Sequence, residues 1–180
     1  MKPLLDQLAG KSVLIRSVGG PLEAALLGAF VTARAHVSRV TSEHSLAQEL
    51  ERLHRSHSTA FAVIVPFAFQ GSMEANAEEA FELIHLIQET KRVLGAPPRY
   101  AVGIAPADAA PGARVGRAIA KTLACYAAAH ASELDLRVNV LSLEGAPSPR
   151  LYARASSASL ALTSGWLDAV RGQELIIGEN

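Results

Sequence analysis

Short apolar runs alternate with longer segments of helical periodicity along the whole chain, and this alternation most constrains the fold. Strands that alternate with helices form a parallel sheet with helices on both faces. The predicted strands are 12–17, 36–40, 60–69, 99–107, 136–142 and 173–178, and the predicted helices are 22–34, 45–55, 74–94, 112–134 and 160–170. The sequence therefore predicts an α/β fold with a doubly wound, Rossmann-like parallel sheet, in a single domain spanning residues 1–180.

Composition excludes several classes of protein. Hydrophobic residues make up 49% of the 180 residues and charged residues 19%, which is typical of a globular domain. Seventeen basic residues balance seventeen acidic ones, so no excess charge favours nucleic acid or a membrane surface as a partner. A single cysteine, Cys125, excludes an internal disulfide. Because the first residues lack the apolar core of a signal peptide, we expect a cytoplasmic protein.

Five segments, taken in order, resemble the short-chain dehydrogenase/reductase family. They are LAGKSVLI (8–15), VTSEHSLAQELERL (40–53), FAVIVPFAF (61–69), AIAKTLACYAAAHASELDLRVNVLS (118–142) and SLALTSGWLDAVRGQELIIGEN (159–180). The resemblance covers nearly the whole chain. It implies the doubly wound fold and a relation to NAD(P)-dependent reductases such as 3-oxoacyl-(acyl carrier protein) reductases.

The cofactor signature of that family is altered at each position that can be placed. Its Thr-Gly-x-x-x-Gly-x-Gly pattern falls here on Arg16, Ser17, Pro21 and Glu23, so all three glycines are replaced. One family glycine lets the backbone approach the diphosphate, and another lets the helix approach the strand. A carboxylate about 4 Å from a phosphate costs about 4 kcal/mol at an effective dielectric constant of 20. The resemblance therefore implies a turn that retains its shape and binds no cofactor.

Two further family features are missing. The strand 36–40 runs directly into the segment that resembles the one after the family's third strand, so about one strand–helix unit is absent and the adenosine pocket is incomplete. The family's catalytic Tyr-x-x-x-Lys falls on Arg117 and Lys121, and a guanidinium does not exchange protons near neutral pH. Segment 146–157 is short for a substrate lid. No catalytic residue is predicted, and Lys121 is read as a relic or an ion-pair partner.

Other polar pairs predict no metal site. The pairs His54/His57 and Glu82/His85 have ligand-like spacing, but a metal needs three or four convergent ligands and no further ligand is identifiable. Cys125 is interpreted as a small packing residue, because the sequence shows no base that would activate it.

Assembly elements are the best preserved part of the resemblance. Helices 74–94 and 112–134 correspond to those with which the family dimerises, and the C-terminal helix and strand to its other common interface. The predicted interface residues are Phe81, Ile84, His85, Gln88, Ala120, Leu123, Ala124, Ala127, Trp166, Leu175 and Ile177. Lost catalytic parts and retained assembly parts predict a non-catalytic subunit that assembles with, and stabilises or regulates, an active NAD(P)-dependent ketoreductase, with 3-oxoacyl thioesters as one candidate substrate class.

Two alternatives stay open. The chain could be a homodimeric scaffold, self-associating through helices 74–94 and 112–134, or a small-ligand-binding protein. It could also be an enzyme with relocated catalysis that uses Lys121 or Tyr126.

Overall fold

The computed structural model describes residues 7–69, 72–106, 111–130 and 135–178. Six strands and five helices alternate along these residues. The strands are β1 (Ser12–Arg16), β2 (His36–Val40), β3 (Ala60–Pro66), β4 (Tyr100–Ala105), β5 (Arg137–Leu143) and β6 (Glu174–Ile177). The helices are α1 (Gly20–Thr32), α2 (Glu43–Arg55), α3 (Met73–Leu94), α4 (Pro111–His130) and α5 (Pro149–Thr163).

All six strands form one parallel sheet in the order β2-β1-β3-β4-β5-β6. Helices α2, α3 and α4 pack on one face around Leu14 and Val63, and α1 and α5 pack on the other around Val13 and Ile64. Each face buries its own hydrophobic cluster, as expected where alternate strand residues point to opposite faces. The predicted doubly wound fold is confirmed.

One strand lies beyond β1 in the described part of the sheet, where the dinucleotide-binding order 3-2-1-4-5-6 has two. The chain moves outward from β1 to β2 through α1 and returns inward to β3 through α2. Helices α1 and α2 lie on opposite faces of the sheet. This is expected of right-handed crossovers that run in opposite directions along the sheet. The strand–helix unit that would continue outward on the α1 face is therefore absent, as the sequence predicts.

The C-terminal helix differs from the prediction. Helix α5 spans Pro149–Thr163, whereas the sequence predicts a helix over 160–170 and assigns no helix to 146–157, a segment short for a substrate lid. Ser148 caps the helix by accepting a hydrogen bond from the Leu151 N–H at 3.1 Å. The hydroxyls of Ser156 and Ser159 donate to carbonyls one turn earlier, at 2.8 and 2.9 Å, which satisfies them within the helix. Burial of Leu151, Ala155 and Leu160 in the cluster on this face of the sheet stabilises the helix. The predicted bounds were wrong: only 160–163 of the predicted helix are helical, and residues 164–169 form turns.

A polar network fastens those turns to the amino ends of β4 and β5. The Tyr100 hydroxyl donates to Asp168 Oδ1 at 2.6 Å, and Arg137 Nε lies 3.1 Å from the same oxygen. Burial, together with the hydrogen bond to Asp168, raises the pKa of Tyr100 to about 12. The phenol therefore stays protonated and keeps the hydrogen bond throughout the physiological pH range.

Helix length and composition bear on membrane insertion. Among the described residues, no helix is both long enough and apolar enough to cross a bilayer.

We expect Tyr100→Phe to lower the free energy of unfolding by about 1–2 kcal/mol at pH 8, because Asp168 loses a buried donor. Since the folded pKa is raised, this part of the stability is present below pH 10 and is lost as the pH rises through about 12. Urea unfolding at pH 8 and pH 11 measures both effects. Tyr152→Phe, outside this network, is the control and should retain the wild-type alkaline loss. Equal unfolding of Tyr100→Phe and wild type at both pH values would contradict the prediction.

Candidate functional site

The candidate site is the crevice at the carboxyl edge of the sheet, between the ends of β1 and β3. The chain leaves β1 toward β2 and leaves β3 toward β4, so connections diverge from this point in opposite directions. Open α/β sheets bind ligands at such a switch point. The turn 17–20 and the first residues after β3 form its two sides.

The carboxylate of Glu23 is folded back into the turn that precedes α1. It is 2% exposed and accepts a hydrogen bond from the Gly19 N–H at 2.6 Å. The Ser17 hydroxyl lies 2.9 and 3.0 Å from its two oxygens. Arg39, on β2, donates from Nε at 2.7 Å and places a second guanidinium nitrogen at 2.6 Å. A side chain of the protein thus occupies the anion-binding position of the turn.

The backbone of the turn shows why it can hold an anion. Gly19 and Gly20 have φ values of 75° and 83°, in the region that glycine adopts without strain. Pro21 stands in the first turn of α1 and has no N–H to offer. The positive end of the helix dipole favours a negative group here, and Glu23 supplies it.

Opposing effects act on the ionisation of Glu23. Burial raises the pKa of the carboxyl, but hydrogen bonds from the Gly19 N–H, Ser17 and Arg39 outweigh burial and hold the pKa below its usual range. Glu23 is therefore an anion at neutral pH.

A second carboxylate closes the other side of the crevice. Glu79, on α3, accepts from the backbone N–H groups of Ala68 at 2.6 Å and Phe69 at 2.9 Å, just after β3. Arg16 lies 2.9 Å from the same carboxylate. The sequence predicts no role for Glu79, and its position in the first turns of an acidic helix is the sole signal that could have drawn attention to it.

Two aromatic rings fill the space beside this loop. Phe67 and Phe69 stack with their centroids 4.8 Å apart and are nearly buried. A Cβ added at Gly103 would lie 2.8 Å from the Phe67 ring, and one at Gly116 would lie 2.8 Å from the Phe69 ring. Both glycines are therefore required by close packing rather than by a turn. Gly116 immediately precedes Arg117, so an aromatic ring packs against α4 beside Arg117.

Lys121 is engaged in an ion pair. Its ammonium lies 2.9 Å from a carboxylate oxygen of Glu174 on β6, and the Ser142 hydroxyl donates to that carboxylate at 2.6 Å. The Ser142 hydrogen bond and then the Lys121 contact lower the pKa of Glu174. Arg117, one turn earlier on α4, adds a smaller attraction. The sequence left Lys121 as either a relic or an ion-pair partner, and the structure shows an ion pair with Glu174.

The predicted interface residues divide into three groups by exposure. Phe81, Gln88 and Trp166 are exposed, and the partly buried members are Ile84, His85, Leu123, Ala127, Leu175 and Ile177. Ala120 and Ala124 are 0% and 1% exposed and belong to the core cluster under α4. Their assignment to an interface was wrong, because these small side chains let α4 approach the sheet of its own chain.

The described part of the chain contains no group of three or more His, Cys, Asp or Glu side chains that could hold a metal ion.

Comparison with known proteins places the fold. No family model matches the sequence, and no curated protein matches it. Solved structures do match along almost the whole chain. An enoyl-[acyl-carrier-protein] reductase (NADH) from Aquifex aeolicus superposes with a TM-score of 0.77 and 14% identity, covering 96% of this chain and 97% of that one.

Two other solved structures are similar to the same extent. A short-chain dehydrogenase from Leptospira borgpetersenii with bound NAD+ gives a TM-score of 0.70 at 15% identity, covering 98% of this chain and 94% of that one. A hydroxysteroid dehydrogenase from Escherichia coli gives 0.71 at 16% identity, covering 97% of each. The chain therefore has the fold of the short-chain dehydrogenases and enoyl reductases.

Proposed function

We propose that this protein is a non-catalytic, short-chain-dehydrogenase-like subunit that assembles with an active NAD(P)-dependent ketoreductase and stabilises or regulates it. The observation that carries the proposal is the buried Glu23 carboxylate, hydrogen-bonded to the Gly19 N–H in the turn before α1.

The cofactor that the fold implies does not fit this turn. A diphosphate would need the Gly19 N–H and the positive end of α1, and the Glu23 carboxylate already uses both. Two anions about 4 Å apart repel by about 4 kcal/mol at an effective dielectric constant of 20. This repulsion would weaken dinucleotide binding by more than a hundredfold. Displacing Glu23 would also leave the Arg39 guanidinium without its carboxylate partner. These contacts support the proposal that the chain binds no dinucleotide.

The altered catalytic positions support the same proposal. Arg117 stays charged at all physiological pH values and offers no proton for exchange. The Lys121 ammonium forms an ion pair with the Glu174 carboxylate at 2.9 Å, so it is directed to a carboxylate rather than to a phenol. Helix α4 would therefore contribute packing contacts to a partner and no catalytic group.

The outer face of α3 and α4 is the proposed docking surface. Phe81 is 52% exposed and, with Val115, Ile119 and Leu123, lines a groove of about 410 Å³ between the two helices. An exposed aromatic beside an apolar groove is typical of a protein interface. We propose that the partner's own helices cover this groove, and that both proteins are cytoplasmic. The choice of 3-oxoacyl thioesters, and of fatty acid or polyketide biosynthesis as the setting, rests on the family resemblance alone.

Cofactor binding by the purified chain is the direct test. We expect isothermal titration with NADH and with NADPH, each to millimolar concentration, to give no saturable heat. An active short-chain dehydrogenase titrated in parallel is the control. A micromolar Kd for either nucleotide, or turnover of a ketone by the chain alone, would overturn the proposal.

We expect Phe81→Asp to weaken association with the reductase by about 30-fold, because truncating an interface aromatic typically costs about 2 kcal/mol or more. Co-expression with a full-length reductase encoded nearby, followed by affinity co-purification, measures the loss. Val31→Asp on α1, also exposed, is the matched control and should associate normally. Failure of the wild-type chain to co-purify, with a stable homodimer by light scattering, would support the homodimeric scaffold instead.

We expect Glu23→Gln to lower the free energy of unfolding by about 1–3 kcal/mol at pH 7, because an amide cannot replace the charge-assisted contacts to Arg39 and Gly19. The folded pKa of Glu23 is lowered, so its contribution is present above the unfolded value of 4.5 and is lost as the pH falls below that value. The stability gap between wild type and variant should therefore narrow in acid.

Denaturant unfolding from pH 7 to pH 3 measures this gap. Glu51→Gln, which breaks an exposed pair with Arg55 on α2, is the control and should change stability by less than about 0.5 kcal/mol. A gap for Glu23→Gln that stays constant across this range would contradict the assignment.

A further inference from the structure

We propose that the crevice of this fold binds a small, uncharged, apolar molecule in place of a dinucleotide. The inference rests on the part of the proposed function that excludes the cofactor, and it does not depend on assembly with a partner. A cavity of about 320 Å³ lies over the carboxyl ends of β1, β3 and β5, between the first turns of α1 and α5. This volume lies in the lower part of the range of small-molecule pockets.

The lining of the cavity determines the class of ligand. None of the residues that line it carries a charge. Phe67 is buried and offers an aromatic wall, Leu143 and Leu151 add aliphatic surface, and Pro21 has no backbone donor. Moving a charged group into such surroundings without a partner costs far more than moving an apolar one. The cavity therefore favours a neutral molecule.

The charges nearest the crevice are already neutralised within the chain. Arg39 is paired with Glu23 at 2.6 Å, and Arg16 with Glu79 at 2.9 Å. Each carboxylate also accepts backbone N–H groups of the surrounding loops, from Gly19 and from Ala68. These cations are unavailable to an incoming anion, and the same turn that excludes a diphosphate leaves the adjacent apolar wall uncovered.

The mouth of the cavity carries an apolar residue in contact with solvent. Val18 directly follows the turn residue Ser17 and is 36% exposed. Tyr152, in the first turn of α5, is half-buried and contributes a phenol side chain to the lining. A ligand that covers Val18 and reaches Phe67 would gain apolar burial, and a single hydroxyl or carbonyl on it could pair with Tyr152.

Binding of the neutral fluorophore N-phenyl-1-naphthylamine tests the inference. We expect saturable one-site fluorescence enhancement with wild type and at least a tenfold weaker affinity for Val18→Lys, which places an ammonium at the mouth. Val31→Lys is the matched control, because it changes an exposed valine on α1 outside the cavity lining, and it should bind as wild type does. Ala68→Leu, which fills the cavity without adding charge, should also bind at least tenfold more weakly.

Competition then tests the class of ligand. We expect octan-1-ol to displace the fluorophore and octanoate, of the same chain length, to do so at least tenfold less well. No saturable fluorescence, equal loss in Val18→Lys and Val31→Lys, or equal competition by octanoate would overturn the inference.

A parallel titration with NADH separates the two proposals. Displacement of the fluorophore by micromolar NADH would overturn both the inference and the absence of a cofactor. Absence of fluorophore binding together with absence of NADH binding would overturn the inference alone.

Discussion

The arrangement of the crevice depends on one buried interaction, the contact between the Glu23 carboxylate and the glycine turn before α1. The turn retains what a Rossmann-like fold uses for a diphosphate: a backbone N–H, positive φ angles and the positive end of a helix. Because a carboxylate from the same chain satisfies these groups, the turn is stable without a ligand. Arg39 completes the charge balance from the next strand. An apolar cavity lies beside this turn.

Local patterns were sufficient to predict the sheet but not the contacts within the crevice. The strand over 36–40 has the predicted bounds, and Glu23 lies in the first helical turn as expected. Its partner Arg39 is 16 residues away, and Glu79 meets Arg16 across 63 residues. Such pairs depend on the strand order, which single-sequence periodicity does not specify. The bounds of helix α5 were mispredicted because serine favours caps and turns by propensity, whereas burial of Leu151, Ala155 and Leu160 in the core cluster stabilises the helix.

Small residues on α4 show how one pattern can serve two kinds of packing. Alanines at helical spacing permit close approach, and the sequence does not say whether the neighbour is another subunit or the protein's own sheet. Ala120 and Ala124 face the sheet, and the groove beside Phe81 lies on the outer side. Gly116 on the same helix also permits close packing within the chain, because the Phe69 ring packs directly on it. The side of α4 that carries these small residues therefore packs within the monomer. The docking proposal depends on the larger side chains on the outer side of the helix.

No described strand lies beyond β2, so β2 is one of the two edge strands of the sheet, and an unprotected edge strand is a template for aggregation. Arg39 lies on this strand, paired in register with Ile15, and its side chain is held across the α1 face by Glu23. A fixed charged side chain at a sheet margin discourages another strand from adding there. Arg39, which pairs with the Glu23 carboxylate in the turn before α1, therefore also places on this edge strand a charge that disfavours the addition of another strand.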